Sequence, residues 1–313
     1  MGWQEINISK YIEQLKINLN LKNHEDILEK DLLLTLILAE FEKEGLGDEL
    51  IFKGGTLLSR NYLNYHRFSE DLDFVHKDSG SLRELTRNAR ERKVKAFLDL
   101  FTPKLKEVAD ALGLEFSEDR SNKRFCKMLS GKVVYTFKIY YSNTKFIKVE
   151  INFVEKLINK PEKVSVKAIT DLFDSKELLF TLGLDIKSFN VLSYSLKEII
   201  LEKYRATLTR KNLQERDLFD LFLIKDSLKV DIHEIVEKIK NSSLIRKDLA
   251  NLIKEKHDLL QKSKFFESEE KIEELAISAY DKKEFEEFKQ KIQPILIEIC
   301  KRFLTAKFSI NGV

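Results

Sequence analysis

The spacing of apolar and polar residues divides the chain into a first part that mixes helices with strands and a second part that is helical. Between Ile8 and Glu44, apolar residues recur at steps of three and four, which predicts helix, and Gly45 and Gly47 end this run. Two short apolar stretches, residues 50–52 and 72–75, then predict strands. This half therefore contains both helix and sheet.

Longer patterns follow further along the chain. A basic helical pattern opens at Ser81 and continues beyond Pro103. Alternating β-branched and aromatic residues at 132–141 and 145–153 predict an antiparallel hairpin. From Ser193 to about residue 306 the period is helical. We therefore predict an α+β fold, with a mixed α/β domain over residues 1–190 and a C-terminal helical bundle over residues 191–313.

Composition narrows the class of protein. The chain has 313 residues, 43% hydrophobic and 34% charged, with a net charge of +3 that is too small to indicate a nucleic-acid binder by itself. No secretory signal is visible, and apolar stretches such as Leu32–Ala39 are too short to span a bilayer. Cys126 and Cys300 lack metal-ligand spacing and are expected to be buried thiols. We expect a cytoplasmic protein with no membrane association.

The stretch FKGGTLLSRNYLNYHRFSEDLDF carries the first candidate chemistry. Gly54, Gly55 and Thr56 form a turn in which the backbone can approach a bulky anion such as a triphosphate. Asp71 and Asp73 lie two apart in a predicted strand, so both carboxylates point to one face, where they would suit a hard divalent cation. The alternative is an ordinary glycine turn followed by an exposed acidic strand end.

Two polar residues between these motifs have open roles. Arg67 and Ser69 could contact phosphate, and they could equally cap the turn. Either role would place them beside the glycine pair.

KGGT followed by RFSEDLDF resembles the AbiEii/AbiGii nucleotidyltransferase toxins, a branch of the DNA polymerase β-type superfamily that is related to the MenT-type toxins. The resemblance covers roughly residues 31–224. It implies a nucleotidyltransferase-type mixed sheet with flanking helices, an NTP substrate, and Mg²⁺ (or Mn²⁺) held by Asp71 and Asp73. It also implies a separately encoded antitoxin. The spacer between the two motifs exceeds that of the compact superfamily enzymes.

The superfamily uses a third carboxylate from a later strand, and in IKVEINF this position corresponds to Glu150. Glu150 would help to hold the metal or orient the acceptor hydroxyl. Alternation places it on one strand face with Lys148 and Asn152. The alternative is a solvated strand residue.

A later segment, EIILEKYRATLTRKNLQERDLFDLFLI, resembles the second landmark of the family. By this resemblance Lys203 is the essential lysine, which would bind the triphosphate, and Asp217 is the distal essential aspartate, which would hold Lys203 or position the acceptor. Asp220 lies one turn after Asp217. Arg216 and Asp220 could instead form a structural i,i+4 pair.

The acceptor is not identified by these motifs. The family resemblance implies transfer to an RNA, with the 3′ end of tRNA as one known case, and a protein hydroxyl is a further possibility. Two basic clusters could approach RNA, although charge runs are more often solvated surfaces. They are Arg83, Arg87, Arg90, Arg92, Lys93 and Lys95, and Arg120, Lys123, Arg124 and Lys127. The competing functions are an NTP-binding module that sequesters a ligand without turnover, and a structural interaction protein.

Overall fold

A computed structural model describes residues 6–306, except 22–23, 185, 187–188, 228, 230, 243–247, 268–271 and 273–274. The chain forms two units. The first unit comprises Met1–Glu155 and Lys160–Ser195, and the second comprises Lys156–Asn159 and Leu196–Val313. Within the described ranges, no helix is both long enough and apolar enough to cross a membrane.

The first unit is built on a seven-stranded sheet with the order β3-β4-β5-β2-β1-β7-β6. Its strands are β1 (Leu50–Lys53), β2 (Asp71–His76), β3 (Cys126–Leu129), β4 (Val134–Tyr140), β5 (Phe146–Asn152), β6 (Glu162–Ser165) and β7 (Asn190–Ser193). The pairs β2–β5 and β1–β7 are parallel and the other neighbours are antiparallel. The sheet is therefore mixed, as the α+β prediction required.

Helices cover one face of this sheet. The first unit contains α1 (Ile8–Leu19), α2 (Glu25–Lys43), α3 (Gly54–Leu57), α4 (Ser79–Glu84), α5 (Arg87–Ala111) and α6 (Lys176–Thr181). Aromatic contacts join α2 and α5 to the strands: Phe41 lies 5.8 Å from Phe74, and Phe101 lies 5.6 Å from Phe137, between ring centroids. Since side chains alternate along a strand, the opposite face is left to the polar residues of β2 and β5.

Local backbone geometry changes two of the predicted helices. The run from Ile8 to Glu44 is two helices, because α1 ends at Asn20 in the left-handed conformation (φ 51°). The basic helix predicted from Ser81 is also two helices, α4 and α5, since the backbone is extended at Leu85 and Thr86. Pro103 lies inside α5 without ending it. The hairpin is confirmed as β4 and β5.

The second unit contains five helices among its described residues. They are α7 (Leu196–Thr209), α8 (Glu215–Leu223), α9 (Ile232–Asn241), α10 (Leu249–Gln261) and α11 (Lys282–Thr305). The helical region begins at Leu196 and not at Ser193, because Ser193 is the last residue of β7.

A buried ion pair anchors the short segment of the second unit that precedes the helices. Lys238 of α9 donates to Glu198 of α7 over 2.6 Å, and both side chains are fully buried. Glu198 also accepts the backbone N–H of Asn159 at 2.8 Å. Glu198 therefore ties residues 156–159 to α7, with its charge balanced by Lys238.

Candidate active site

The junction of β1 and α3 has room only for glycine at position 54. Gly54 has φ +85°, a conformation that other residues adopt with strain, and a Cβ there would lie 2.5 Å from Asp73 Oδ2. This closeness follows from strand pairing, since Lys53 and Asp73 are direct partners in the β1–β2 register. The first glycine of the motif therefore lets the second aspartate approach the turn.

Gly55 likewise lets two other predicted site residues pack closely against the turn. A Cβ at Gly55 would lie 2.8 Å from Ser69 Oγ and 2.9 Å from Arg67 Nη2. Arg67 is buried, and its Nη1 donates to the backbone oxygen of Phe68 over 2.6 Å. Arg67 and Ser69 are thus packed against the glycine pair.

Thr56 uses its hydroxyl to fix the backbone. The side chain is buried, and Oγ1 lies 2.5 Å from the Asp71 carbonyl oxygen and 3.1 Å from Ser69 Oγ. Its hydrogen bond joins the helix after the glycines to the first residue of β2. In this structure Thr56 therefore positions Asp71 through the backbone, a role for which the motif gave no signal.

A buried ion pair holds the helical segment that continues from α3. Residues 58–62 form a π-helical turn, and its Arg60 donates to Asp31 Oδ1 of α2 over 2.7 Å and to Thr35 Oγ1 over 3.0 Å. The Arg60 side chain is 1% exposed and that of Asp31 is 4% exposed. This contact, which sequence patterns did not reveal, fixes the glycine turn relative to α2.

Strand register brings the three predicted carboxylates to one face of the sheet. Asp73 of β2 is the direct partner of Glu150 in β5, and Asp71 lies two residues earlier on the same side of β2. Thr136 of β4, the partner of Glu150 on its other side, has its Oγ1 3.4 Å from Glu150 Oε2. The polar face of β2 and β5 is therefore acidic at its centre.

This crowding of carboxylates shows in the pKa of Asp73. The pKa of Asp73 is raised from the ordinary 3.8 to about 6. Burial is the largest cause; the charges of Glu150 and Asp71 also raise it, and those of Lys148 and Lys53 lower it. A cation at this face would therefore stabilise the ionised form.

Lys148 supplies one such cation, and sequence reasoning did not assign it to the site. Its Nζ lies 2.8 Å from Asp71 Oδ2, since Asp71 and Lys148 are register partners on β2 and β5. Burial lowers the pKa of Lys148, but the charges of Asp73 and Asp71 outweigh this and raise it overall. The sequence could have indicated Lys148, because it lies two residues before Glu150 and therefore on the same strand face.

The donor set at this face fits a hard divalent cation in chemical type. Two aspartates and one glutamate offer carboxylate oxygens from adjacent strands, and the missing Cβ of Gly54 lets the Asp73 carboxylate lie against the turn. Among the described residues, however, no three His, Cys, Asp or Glu side chains are already gathered as a metal site. The ammonium of Lys148 neutralises Asp71 in this arrangement.

The second unit holds the remaining predicted residues, Lys203 and Asp217. Lys203 Nζ lies 2.9 Å from Asp217 Oδ1 and 2.6 Å from Asp220 Oδ2. All three are buried, and Asp217 is also 3.0 Å from Arg210 Nε. The helix pair α7–α8 therefore fixes the lysine between two carboxylates, those of Asp217 and Asp220.

The family to which the chain belongs defines the class of protein as a nucleotidyltransferase. The chain belongs to the AbiEii family, because residues 36–306 match the family described as nucleotidyl transferase AbiEii toxin, type IV toxin–antitoxin system. The family resemblance and the enzyme class read from the motifs are thus confirmed.

One solved structure shares the fold, and a second superposes with a lower score. MenT4, a nucleotidyltransferase toxin from Mycobacterium tuberculosis H37Rv, superposes with a TM-score of 0.51 at 15% identity, covering 93% of this chain and 98% of that chain. JHP933 from Helicobacter pylori gives a TM-score of 0.40 at 17% identity, covering 89% of this chain and 94% of that chain. A search of curated proteins finds no match for this sequence.

Proposed function

We propose that this AbiEii-family toxin transfers NMP from an NTP to a hydroxyl of an RNA, in a reaction that depends on a divalent metal. The observation that carries the proposal is the placement of Asp71, Asp73 and Glu150 on one sheet face, beside a position where only Gly54 fits. An acidic face next to a turn without side chains suits a triphosphate with its metal.

In this proposal Asp71, Asp73 and Glu150 hold Mg²⁺ (or Mn²⁺). The metal, when bound, supplies charge neutralisation at the triphosphate and a lowered pKa of the attacking hydroxyl. Glu150, which is the member of the set on the neighbouring strand, also orients the acceptor hydroxyl. Lys148 must leave Asp71 for this to occur, and its freed ammonium remains on the same face to meet phosphate oxygens.

The glycine side of the site binds the triphosphate. Gly54 and Gly55 allow its oxygens to approach the backbone, and Arg67 and Ser69 line the same turn. Thr56 supports the turn through its bond to the Asp71 carbonyl oxygen. In this arrangement the glycine turn binds the phosphates, and the carboxylates of β2 and β5 bind the metal.

Lys203 and Asp217 enter the proposal through the family motif. The ion pair between them supports a proposal in which the two side chains act together. Lys203 supplies positive charge to the triphosphate, and Asp217, with Asp220, sets the position of its ammonium. NTPs and RNA are found in the cytoplasm, so the proposed reaction takes place there. A cognate antitoxin, as the type IV family implies, would limit it.

Incubation of the protein with each α-labelled NTP, Mg²⁺ and total RNA tests the proposal. We expect label in RNA and release of pyrophosphate, with both lost in Asp71→Asn and Asp73→Asn and retained in Asp110→Asn, an exposed carboxylate in a surface pair with Lys106. NTP binding without pyrophosphate release would favour sequestration instead. Label on protein and none on RNA would show that the acceptor is a protein hydroxyl instead.

A further inference from the structure

A basic groove lies at the edge of the sheet, between α5 and the β3–β4 hairpin. It is a cavity of about 740 Å³, and four of its lining side chains are cationic: Arg92 and Lys95 from α5, Arg120 from the loop before β3, and Lys132 from the hairpin turn. One lining carboxylate, Glu91, accompanies them. Cations from three separate segments thus converge on one concave surface, which we call the α5 groove.

The acidic partners of these cations form weak surface pairs. Lys132 lies 3.3 Å from Glu91, and Lys95 lies 3.4 Å from Asp99, which also pairs with Arg120. Glu91 and Asp99 are 27% and 46% exposed, and exposed pairs of this kind contribute little to stability. Phosphate oxygens can therefore replace them as partners of the cations at small cost.

Arg120 has a hydrogen-bond donor left over. Its Nη1 is buried from solvent and, within the described part of the chain, has no hydrogen-bond partner, although Nη2 pairs with Asp99. A buried donor without an acceptor is unfavourable, and a ligand oxygen would correct it. This unsatisfied donor belongs to a side chain that lines the groove, and it is an observation independent of the charge count.

The α5 groove lies on the face of the sheet opposite to the carboxylates. Its residues Met128 and Tyr135 are direct cross-strand partners, so they share one face, whereas the next residue, Thr136, shares the other face with Glu150. The NTP at the carboxylate face therefore cannot also fill the groove. A long ligand that passes around the edge strand β3 can reach both faces.

We propose that the α5 groove binds the phosphodiester backbone of the RNA acceptor at nucleotides away from the reacting end. The cations pair with phosphates, and Leu98, Met128 and Tyr135 give the groove apolar surface for a ribose or base. This inference rests on the proposed function, because it takes RNA as the acceptor. The nucleotides away from the reacting end are then bound by a surface separate from the face that carries the carboxylates.

Fluorescence polarisation with fluorescein-labelled RNA and the full-length protein tests the groove. We expect Arg92→Gln/Lys95→Gln to bind RNA at least about tenfold more weakly at 0.1 M salt, and to show a salt slope shallower by about 0.7 for each phosphate that is no longer bound. The control, Lys93→Gln/Lys123→Gln, removes the same charge from exposed residues that do not line the groove. Melting curves and NTP affinity verify that both variants fold.

The outcomes separate this inference from the proposed function. Asp71→Asn should lose nucleotide transfer and still bind RNA as the unmodified protein does. If the unmodified protein transfers no nucleotide but binds RNA in a groove-dependent way, only the metal chemistry of the proposed function is contradicted. Equal RNA affinity in the groove variant and its control would overturn the groove, even if nucleotide transfer is observed. Failure of the unmodified protein to bind RNA would overturn it as well.

Discussion

The Lys148 ammonium lies 2.8 Å from Asp71 Oδ2, on the strand that pairs in parallel with the strand of the two aspartates. A lysine at this distance neutralises a carboxylate that the proposed reaction needs for its metal. The same residue thus stabilises the acidic face without metal and, in the proposed reaction, competes with the metal.

Replacement of Lys148 by Met should strengthen metal binding to the NTP-free protein. Without the ammonium, Asp71 has no competing cation, and we expect about tenfold tighter Mn²⁺ binding, or about 1.4 kcal/mol. Titration followed by electron paramagnetic resonance of free Mn²⁺ measures this.

Lys138→Met is the matched control for Lys148. Lys138 is the cross-strand partner of Lys148 and lies 4.4 Å over the Phe146 ring. Unchanged or weaker Mn²⁺ binding in Lys148→Met, relative to this control, would show that Lys148 does not compete for the metal position.

Gly54→Ala should remove nucleotide transfer with a smaller effect on folding. The new Cβ would lie 2.5 Å from Asp73 Oδ2, so Asp73 must move, and displacement of about 1 Å in an active site costs on the order of 100-fold in rate. Turnover and melting temperature should be measured together. Gly80→Ala is the control, because a Cβ there meets nothing within 4 Å. Full activity in Gly54→Ala would contradict the role of the glycine.

Arg60→Met should destabilise the first unit by about 3–5 kcal/mol. The replacement leaves Asp31 buried without its charge partner, and burial already raises the pKa of Asp31 despite Arg60. Urea unfolding measures the loss, and Asp31→Leu added to Arg60→Met should recover part of it. Arg302→Met, which removes an exposed i,i+4 pair with Glu298, should cost less than about 1 kcal/mol. Equal costs for both arginines would refute the buried pair as an anchor.

His76 should make the protein less stable as the pH falls below about 6.5. Burial lowers its pKa, its ring lies 4.8 Å from that of Phe97, and its Nδ1 accepts the backbone N–H of Asp78. At a pH between the pKa of His76 in the folded protein and its higher pKa of about 6.5 in the unfolded chain, the unfolded chain binds more protons. The contribution of neutral His76 to stability is therefore complete above about pH 6.5, and it is lost as the pH falls to the pKa of the folded state. Melting curves of His76→Gln from pH 8 to 5 should have a shallower slope than those of the unmodified protein. An unchanged slope would show that a group other than His76 causes the loss of stability in acid.

Much of the fold followed from the sequence, because its strongest signals are local. Side-chain spacing alone is enough to identify the long periodic helices and the alternating hairpin, and the sequence predicted both. Strands β3, β6 and β7 are as short as β1, but they lack an apolar run like that of residues 50–52, so the sequence did not predict them. The break at Thr86 was missed for a related reason: the helical period continues across it in the sequence.

The sequence by itself determined the family and the residue types of its motifs, since the glycine pair, the two aspartates and the lysine–aspartate landmark are read from spacing within short segments. Only the tertiary structure decided which distant residues touch them. Strand register set Lys148 beside Asp71, helix packing buried Arg60 against Asp31, and the α5 groove gathered cations that lie in separate parts of the chain. These contacts depend on long-range pairing, and local periodicity carries no information about which strands pair.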